Sequence, residues 1–477
     1  MELRRSDTMT RRAALILAAA WPLLGGETAL DRYVKSPDAH YKHEVVKTIP
    51  GRGYTAYVVE LTSQAWLTEK EVNRPVWKHW LTIVKPDKVN HSTGFLYISG
   101  GSNRDKAPER ADGFITAMAM DTNSVAAELR MVPNQPLSFF GESRQRVEDS
   151  IIAFGWAKYL NGGPDIWLAR LPMTKSAARA MDTITDVMKA QGAVVDRFVV
   201  SGGSKRGWTT WTTAAVDSRV VAIVPAVIDL LNIVPSFEHH WRVYGFWSPA
   251  IKDYVENDIM KWSGTPRYKE MLKIVGPYEY RDRLTMPKFI VNASGDQFFL
   301  PDSSQFYWKD LKGEKLLRYV PNASHSLGGS DARESIGAYY SMILNNRPRP
   351  RFTWKFDKNG DIEVKAADRP LEVKLWQANN PEKRDFRVDT IGKAYKSVPI
   401  EAKKPGLYVV KAPRGKGYTA YFVELTYASG TKYPLKVTTG VRVTPDRYPF
   451  EAPRLGSAAG PGPTSNPVAV PSGNGHD

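Results

Sequence analysis

The chain has 477 residues, 42% of them apolar and 24% charged, with no cysteine and a formal net charge of +16. That length exceeds one small module, and the apolar share is enough for a packed core, so a wholly disordered chain is excluded. Zero cysteine excludes disulfides, thiolate zinc sites and a cysteine nucleophile, while the positive charge admits a polyanionic partner only if the charge is concentrated somewhere.

Residues 1–29 read as an export signal. Arg4, Arg5, Arg11 and Arg12 precede an apolar run from Ala13 to Leu24, and the small residues Gly25, Gly26 and Ala29 follow. Thr10-Arg11-Arg12 resembles a twin-arginine signal, and the run is too short to span a bilayer comfortably. No later segment is apolar enough to cross a membrane. The expectation is an exported chain, periplasmic or extracellular, with no transmembrane segment once mature.

From residue 30 to 346 strand-like and helix-like runs alternate. Strands are expected at 79–84, 95–99 and 124–131. A helix capped by Thr174 follows, with Ala177, Met181, Ile184 and Met188 at helical spacing and Gly192 closing it. Next come a strand at 194–200, a helix after Ser204, and strands at 220–224, 288–292 and 316–320. This alternation predicts an α/β fold, a doubly wound, mostly parallel sheet with helices on both faces. Residues 232–285 break the rhythm with Trp241, Trp247 and Trp262, and read as a lid insertion over the strand ends.

Past Asn345 the text changes. Short alternating runs at 352–356, 362–365, 371–376, 386–388, 407–411, 418–426 and 435–443 predict a β-sandwich-like domain over 347–450. Residues 451–477, rich in Gly, Pro, Ser and Ala, read as a disordered tail. One echo links the two parts: 51–63 reads GRGYTAYVVELTS and 415–427 reads GKGYTAYFVELTY. Two copies do not make a repeat array, and the echo is read as shared strand geometry.

The strongest chemical signal is strand–turn–helix around Ser204, VVDRFVVSGGSKRGWTTWTTAAV. A serine on a sharp turn needs small neighbours, supplied by Gly202, Gly203 and Gly207, although Arg206 stands where the G-x-S-x-G pattern expects its last glycine. An acid and then a histidine should follow later strands. Asp296 and His325 do, each just past a strand end, where open parallel sheets bind ligands. In this reading His325 takes the proton of Ser204 and Asp296 holds the imidazole, with Asp302 as the alternative acid. The N–H of Lys205 would be one oxyanion donor, and Gly101 or Ser102 the second. Trp241 and Trp247 are candidates for lining a substrate pocket. His239-His240 beside Glu238 hints at a metal, but no further ligand cluster joins them, so no metal is expected. No phosphate loop or dinucleotide fingerprint appears, so no cofactor is expected.

These segments resemble the PhoPQ-activated pathogenicity-related proteins, within the α/β-hydrolase superfamily. The resemblance rests on residues 61–86, 146–160, 201–232 (SGGSKRGWTTWTTAAVDSRVVAIVPAVIDLLN), 244–254, 292–308 (NASGDQFFLPDSSQFYW) and 320–329 (VPNASHSLGG). It implies an exported protein with a hydrolase core and a candidate triad on Ser204, Asp296 and His325, but names no reaction. The segment around Ser204 also looks like that of glucuronoyl esterases, where a basic residue follows the serine. The expected function is an exported serine hydrolase, esterase-like, acting on a small ester, amide or peptide. The alternatives are a serine peptidase, or a non-catalytic binding or signalling protein built on the same core.

The charge can be placed. Residues 347–450 hold 22 Lys and Arg against 11 Asp and Glu, so most of the excess lies there. The second region is therefore the expected contact with an anionic envelope surface, and no nucleic-acid partner is expected.

Overall fold

The structure, a computed structural model, describes residues 26–453. Most of the expected signal (1–25) and most of the expected tail (454–477) lie outside the described residues. Residues 26–29, assigned to the signal from sequence, belong to the fold. Thr28 caps helix α1 (Ala29–Lys35) in a reciprocal capping box with Asp31, and Asp31 is buried in an ion pair with Arg283 at 2.9 Å.

Nine strands form the main sheet, in the order β1-β2-β3-β5-β4-β8-β9-β10-β11. Three long antiparallel strands start it: β1 (Lys42–Gly51), β2 (Tyr54–Ala65) and β3 (Val76–Pro86). The remainder, β4 (Thr93–Ile98), β5 (Ala126–Leu129), β8 (Arg197–Gly203), β9 (Val220–Ala226), β10 (Lys288–Ala293) and β11 (Lys315–Val320), run parallel to one another. Two-residue strands β6 (Leu137–Ser138) and β7 (Gln145–Arg146) pair outside this sheet. Helices α2 (Gly113–Thr122), α3 (Asp149–Leu160), α4 (Arg170–Ala190), α5 (Lys205–Val216) and α9 (Ala332–Leu344) are the connections. The parallel strands read as unbroken apolar runs because both of their faces are covered.

The amphipathic pattern of α4 was legible, but its start was not. Thr174 does not cap it. The helix begins four residues earlier, and the Thr174 hydroxyl donates to Arg170 O at 2.8 Å. A threonine inside a helix can satisfy its hydroxyl on the preceding turn, which makes it a poor boundary mark.

The insertion after β9 is helical: α6 (Ile233–Tyr244), α7 (Lys252–Glu256) and α8 (Pro266–Val275) with 3₁₀ turns between them.

The second region contains two antiparallel sheets. Strands β12 (Phe352–Phe356), β13 (Ile362–Ala366) and β16 (Leu407–Val410) make one. Strands β14 (Glu372–Asn380), β15 (Lys396–Pro399), β17 (Tyr418–Tyr427), β18 (Leu435–Thr438) and β19 (Arg442–Thr444) make the other. The run at 386–388 is not a strand. Phe386 is buried in a loop, and Val388 opens the one-turn helix α10 (Val388–Ile391). Polar, largely exposed β15 gave no alternating signal. One continuous apolar cluster runs from Val291 and Tyr339 of the first region to Val364, Val423 and Val437 of the second.

The sequence echo has a structural cause. Gly53 (φ 80°) and Gly417 (φ 78°) each hold the left-handed turn that feeds a long antiparallel strand, β2 or β17. Each of those strands is flanked on both sides, so the shared YTAY-VELT text is that of a doubly paired, buried strand.

Candidate active site

Ser204 sits between β8 and α5 at φ 57°, ψ −125°, a conformation that non-glycine residues rarely adopt. The turn is held by its N–H, which donates to Ala226 O at 2.9 Å. Glycines are required beside it because a Cβ on Gly202 would lie 2.8 Å from Arg206 O, and one on Gly207 2.8 Å from Ala226 O. The closing glycine thus falls at Gly207, one place later than the usual pattern, which leaves room for Arg206.

Asp296 follows β10 and His325 follows β11. His325 Nδ1 lies 2.9 and 3.0 Å from the two carboxylate oxygens of Asp296. A carboxylate only accepts, so Nδ1 carries a proton, and the neutral imidazole in this tautomer has its lone pair on Nε2. Asp296 is 3% exposed, and its carboxylate also receives the N–H of Phe298 at 2.7 Å. His325 is fixed through its own N–H, which donates to Gln297 Oε1 at 3.0 Å, and by the Phe298 ring 4.3 Å away. Among the described residues Ser204 Oγ makes no hydrogen bond. Ser204 lines a small cavity of about 30 Å³ together with Phe298 and Phe299, and the rings of those two phenylalanines also pack against His325.

The candidate oxyanion donors separate. Lys205 is the first residue of α5, and among the described residues neither its N–H nor that of Gly101 donates to another group. Gly101 needs to be glycine, since φ is +136° and a Cβ would lie 2.9 Å from Asp105 Oδ2. Ser102 is a correction: its N–H is occupied by Asp105 Oδ2 at 2.9 Å.

Asp302 is also a correction as an acid for His325. It is buried between His239 Nε2 and Arg384 Nη2, each at 2.8 Å. Burial raises its pKa, but the charges of Arg384 and His239 outweigh it and hold the carboxyl well below the ordinary range. Trp241 and Trp247 pack on each other with ring centres 5.1 Å apart and do not line the cavity at Ser204. Trp156, Trp208, Phe237 and Tyr254 line it instead. Both ring nitrogens of His239 have protein partners, Nδ1 meeting Tyr448 Oη at 2.9 Å, and His240 Nε2 accepts Ser248 N–H at 3.1 Å.

Sequence reasoning missed a charged clamp. Lys205 Nζ lies 2.9 Å from Glu148 and 3.0 Å from Asp149, and Arg206 makes a two-pronged contact with Glu148 at 2.7 and 2.5 Å. Gln135 extends the clamp by donating to Glu148 and to Gly101 O at 3.0 Å. Burial pushes the Glu148 carboxyl up, but Arg206 and Lys205 win and bring it to about 2. The adjacent basic pair after Ser204 and the acidic pair at the start of α3 were the available signal.

A second missed element is the loop between β14 and β15. Val388 N–H donates to Gly295 O at 2.9 Å. Tyr395 and Asn322 exchange two hydrogen bonds, each at 2.9 Å. Gln297 reaches Asp389 at 3.1 Å. The second region therefore braces both loops that present Asp296 and His325.

A mostly parallel sheet with a strained serine at a strand-to-helix turn, and an acid–histidine pair after later strands, defines the α/β-hydrolase class. The chain belongs to the PhoPQ-activated pathogenicity-related protein family, which it matches over residues 30–387. It is similar to the autocrine proliferation repressor protein A of Dictyostelium discoideum, 38% identical over 465 residues, 91% of this chain and 94% of that protein. Among solved structures it is similar to acetyl xylan esterase 1 from Thermoanaerobacterium, with a TM-score of 0.47, 13% identity, and coverage of 66% of this chain and 92% of that one. An acetyl xylan esterase from Paenibacillus gives a TM-score of 0.45 at 14% identity, over 66% of this chain and 92% of that one. Among the described residues no helix is long and apolar enough to cross a membrane.

Proposed function

We propose that this chain is an exported serine hydrolase that cleaves a small ester, or an amide or peptide bond, through an acyl-enzyme on Ser204. The observation that carries the reading is the conjunction of strained Ser204 with the His325–Asp296 pair. Ser204 Oγ attacks the acyl carbon while His325 Nε2 takes its proton. The Asp296 carboxylate holds the tautomer and stabilises the imidazolium. The oxyanion is met by the N–H groups of Lys205 and Gly101, with the N-terminus of α5 behind it; one such donor is worth about 10²–10³ in rate. Collapse breaks the bond to the leaving group, which receives its proton from His325. Water, deprotonated by the same imidazole, then releases the acid.

The relative from Dictyostelium is named as a repressor of proliferation, and that name supports a second reading, a signalling protein on a hydrolase core. One experiment separates the two. Wild type should react with a fluorophosphonate probe and Ser204→Ala should not. Equal labelling of both, or of neither, removes Ser204 as a nucleophile. A panel of acyl esters and aminoacyl amides then distinguishes esterase from peptidase. Export rests on the arginine-rich start and apolar run of residues 1–29, and cell fractionation of the full chain tests it.

A further inference from the structure

The face of the β14–β17 sheet turned toward β11 is set by register. Lys374 pairs with Glu424 and Trp376 with Phe422 across the two strands, so these side chains share that face. Phe422 is fully buried there, with ring centres 6.3 Å from Tyr319 and 5.8 Å from Tyr395. Beside it the contact opens into a cavity of about 280 Å³ between the sheet and the loop that leads to α9. Ala323, Asp331, Trp376, Lys393, Glu424 and Lys436 line it.

Glu424 is the unusual member. It is 3% exposed, yet its carboxylate has no hydrogen bond or ion pair among the described residues. Its neighbours are satisfied: Asp331 pairs with Arg318 and, at 2.7 Å, with Lys436, and Lys374 turns to Glu372 at 2.7 Å. Glu424 lines the cavity with its carboxylate free to accept, so a donor that enters the cavity meets it there. The indole N–H of Trp376 also lacks an acceptor.

The lining fixes the ligand's chemistry. Two carboxylates and two ammonium groups balance, which disfavours a net cation or anion. The ligand must donate to Glu424 and accept from Lys393, and a hydroxyl does both. The half-buried Trp376 supplies an apolar wall. The volume is just below the range of about 300–1,000 Å³ usual for drug-sized ligands, so one ring fits and a peptide does not.

We propose that this cavity binds a single neutral sugar ring, either free or as one residue of a glycan. The site stands independently of the hydrolase reading, since no step on Ser204 enters it. Its wall includes Ala323, two residues before His325, so occupancy would bear on the loop that presents the imidazole.

The test titrates the full chain carrying Ser204→Ala with glucose, xylose, N-acetylglucosamine and their disaccharides, read by saturation-transfer NMR and tryptophan fluorescence. Saturable binding with Kd on the order of 1 mM is expected for a site this small. Wild type and Ser204→Ala should bind alike. Glu424→Gln should weaken binding about tenfold, and the exposed Lys393→Ala, which leaves the core untouched, about threefold. Tighter binding of the disaccharides indicates a glycan source, and equal binding a free sugar. No saturation by any sugar at concentrations about tenfold higher overturns the proposal. So does binding that both variants leave unchanged, or a preference for putrescine or citrate over every sugar.

Discussion

Arg384 Nη2 lies 2.8 Å from Asp302 Oδ2, and this buried ion pair joins the second region to the loop that carries Asp296. His239 of the helical insertion completes the junction on the other carboxylate oxygen at 2.8 Å. Three parts of the chain thus meet on one carboxylate a few residues from the candidate acid.

Removing one partner should strand the other charge. Arg384→Met is expected to lower stability by about 3–5 kcal/mol, read as the urea midpoint, and to slow fluorophosphonate labelling as the 296–302 loop loosens. The double variant with Asp302→Asn should lose less than the sum of the two singles. Additive losses would show that the pair is not coupled.

Asp296→Asn should keep the fold and lower kcat by roughly 10³–10⁴, because the amide no longer fixes the protonated Nδ1 of His325. A melting temperature near that of wild type, with full esterase activity retained, would remove Asp296 from the site.

Glu148 gives a pH prediction. Its folded pKa, about 2, lies below the ordinary 4.5, so its stabilising contribution is complete above 4.5 and is lost as the pH falls toward 2. Wild type should therefore exceed Glu148→Gln in stability by the most above pH 4.5, and the gap should close through that window. Urea unfolding at several acid pH values measures it, and a constant gap would contradict the assignment.

Asp229 works in the opposite direction. It is fully buried, and burial pushes its pKa up to about 7 against the pull of hydrogen bonds from Tyr307 and Tyr319. The native state keeps a proton that the unfolded chain gives up from about 3.8 upward, so stability falls as the pH rises through 7. Asp229→Asn should gain on wild type between pH 4 and 7 and then level off. Thermal melts at pH 5 and 8 decide it, with no relative gain counting against a raised pKa.

The legible parts were those written in local text. Apolar runs bounded by turns placed β3, β4, β9, β10 and β11, because a strand buried on both faces must be apolar throughout. Gly202 and Gly207 marked the turn at Ser204 because close backbone approach excludes a Cβ. Strand β15 and the loop after β14 were not legible, since polar segments carry no periodicity of burial.

By itself the sequence determined the order of serine, acid and histidine, the strands they follow, and the charge that gathers after residue 347. These depend on neighbours along the chain. Only the tertiary structure paired His325 with Asp296 and Asp302 with Arg384, put Asp105 on the N–H of Ser102, placed Trp156 and Trp208 rather than Trp241 and Trp247 on the cavity at Ser204, and supplied Glu148 to Lys205 and Arg206. Those outcomes depend on which side chains far apart in the chain arrive at one point, 58 residues apart for Glu148 and Arg206 and 82 for Asp302 and Arg384. Spacing along a chain sets the direction of a side chain, but packing across the sheet chooses its partner.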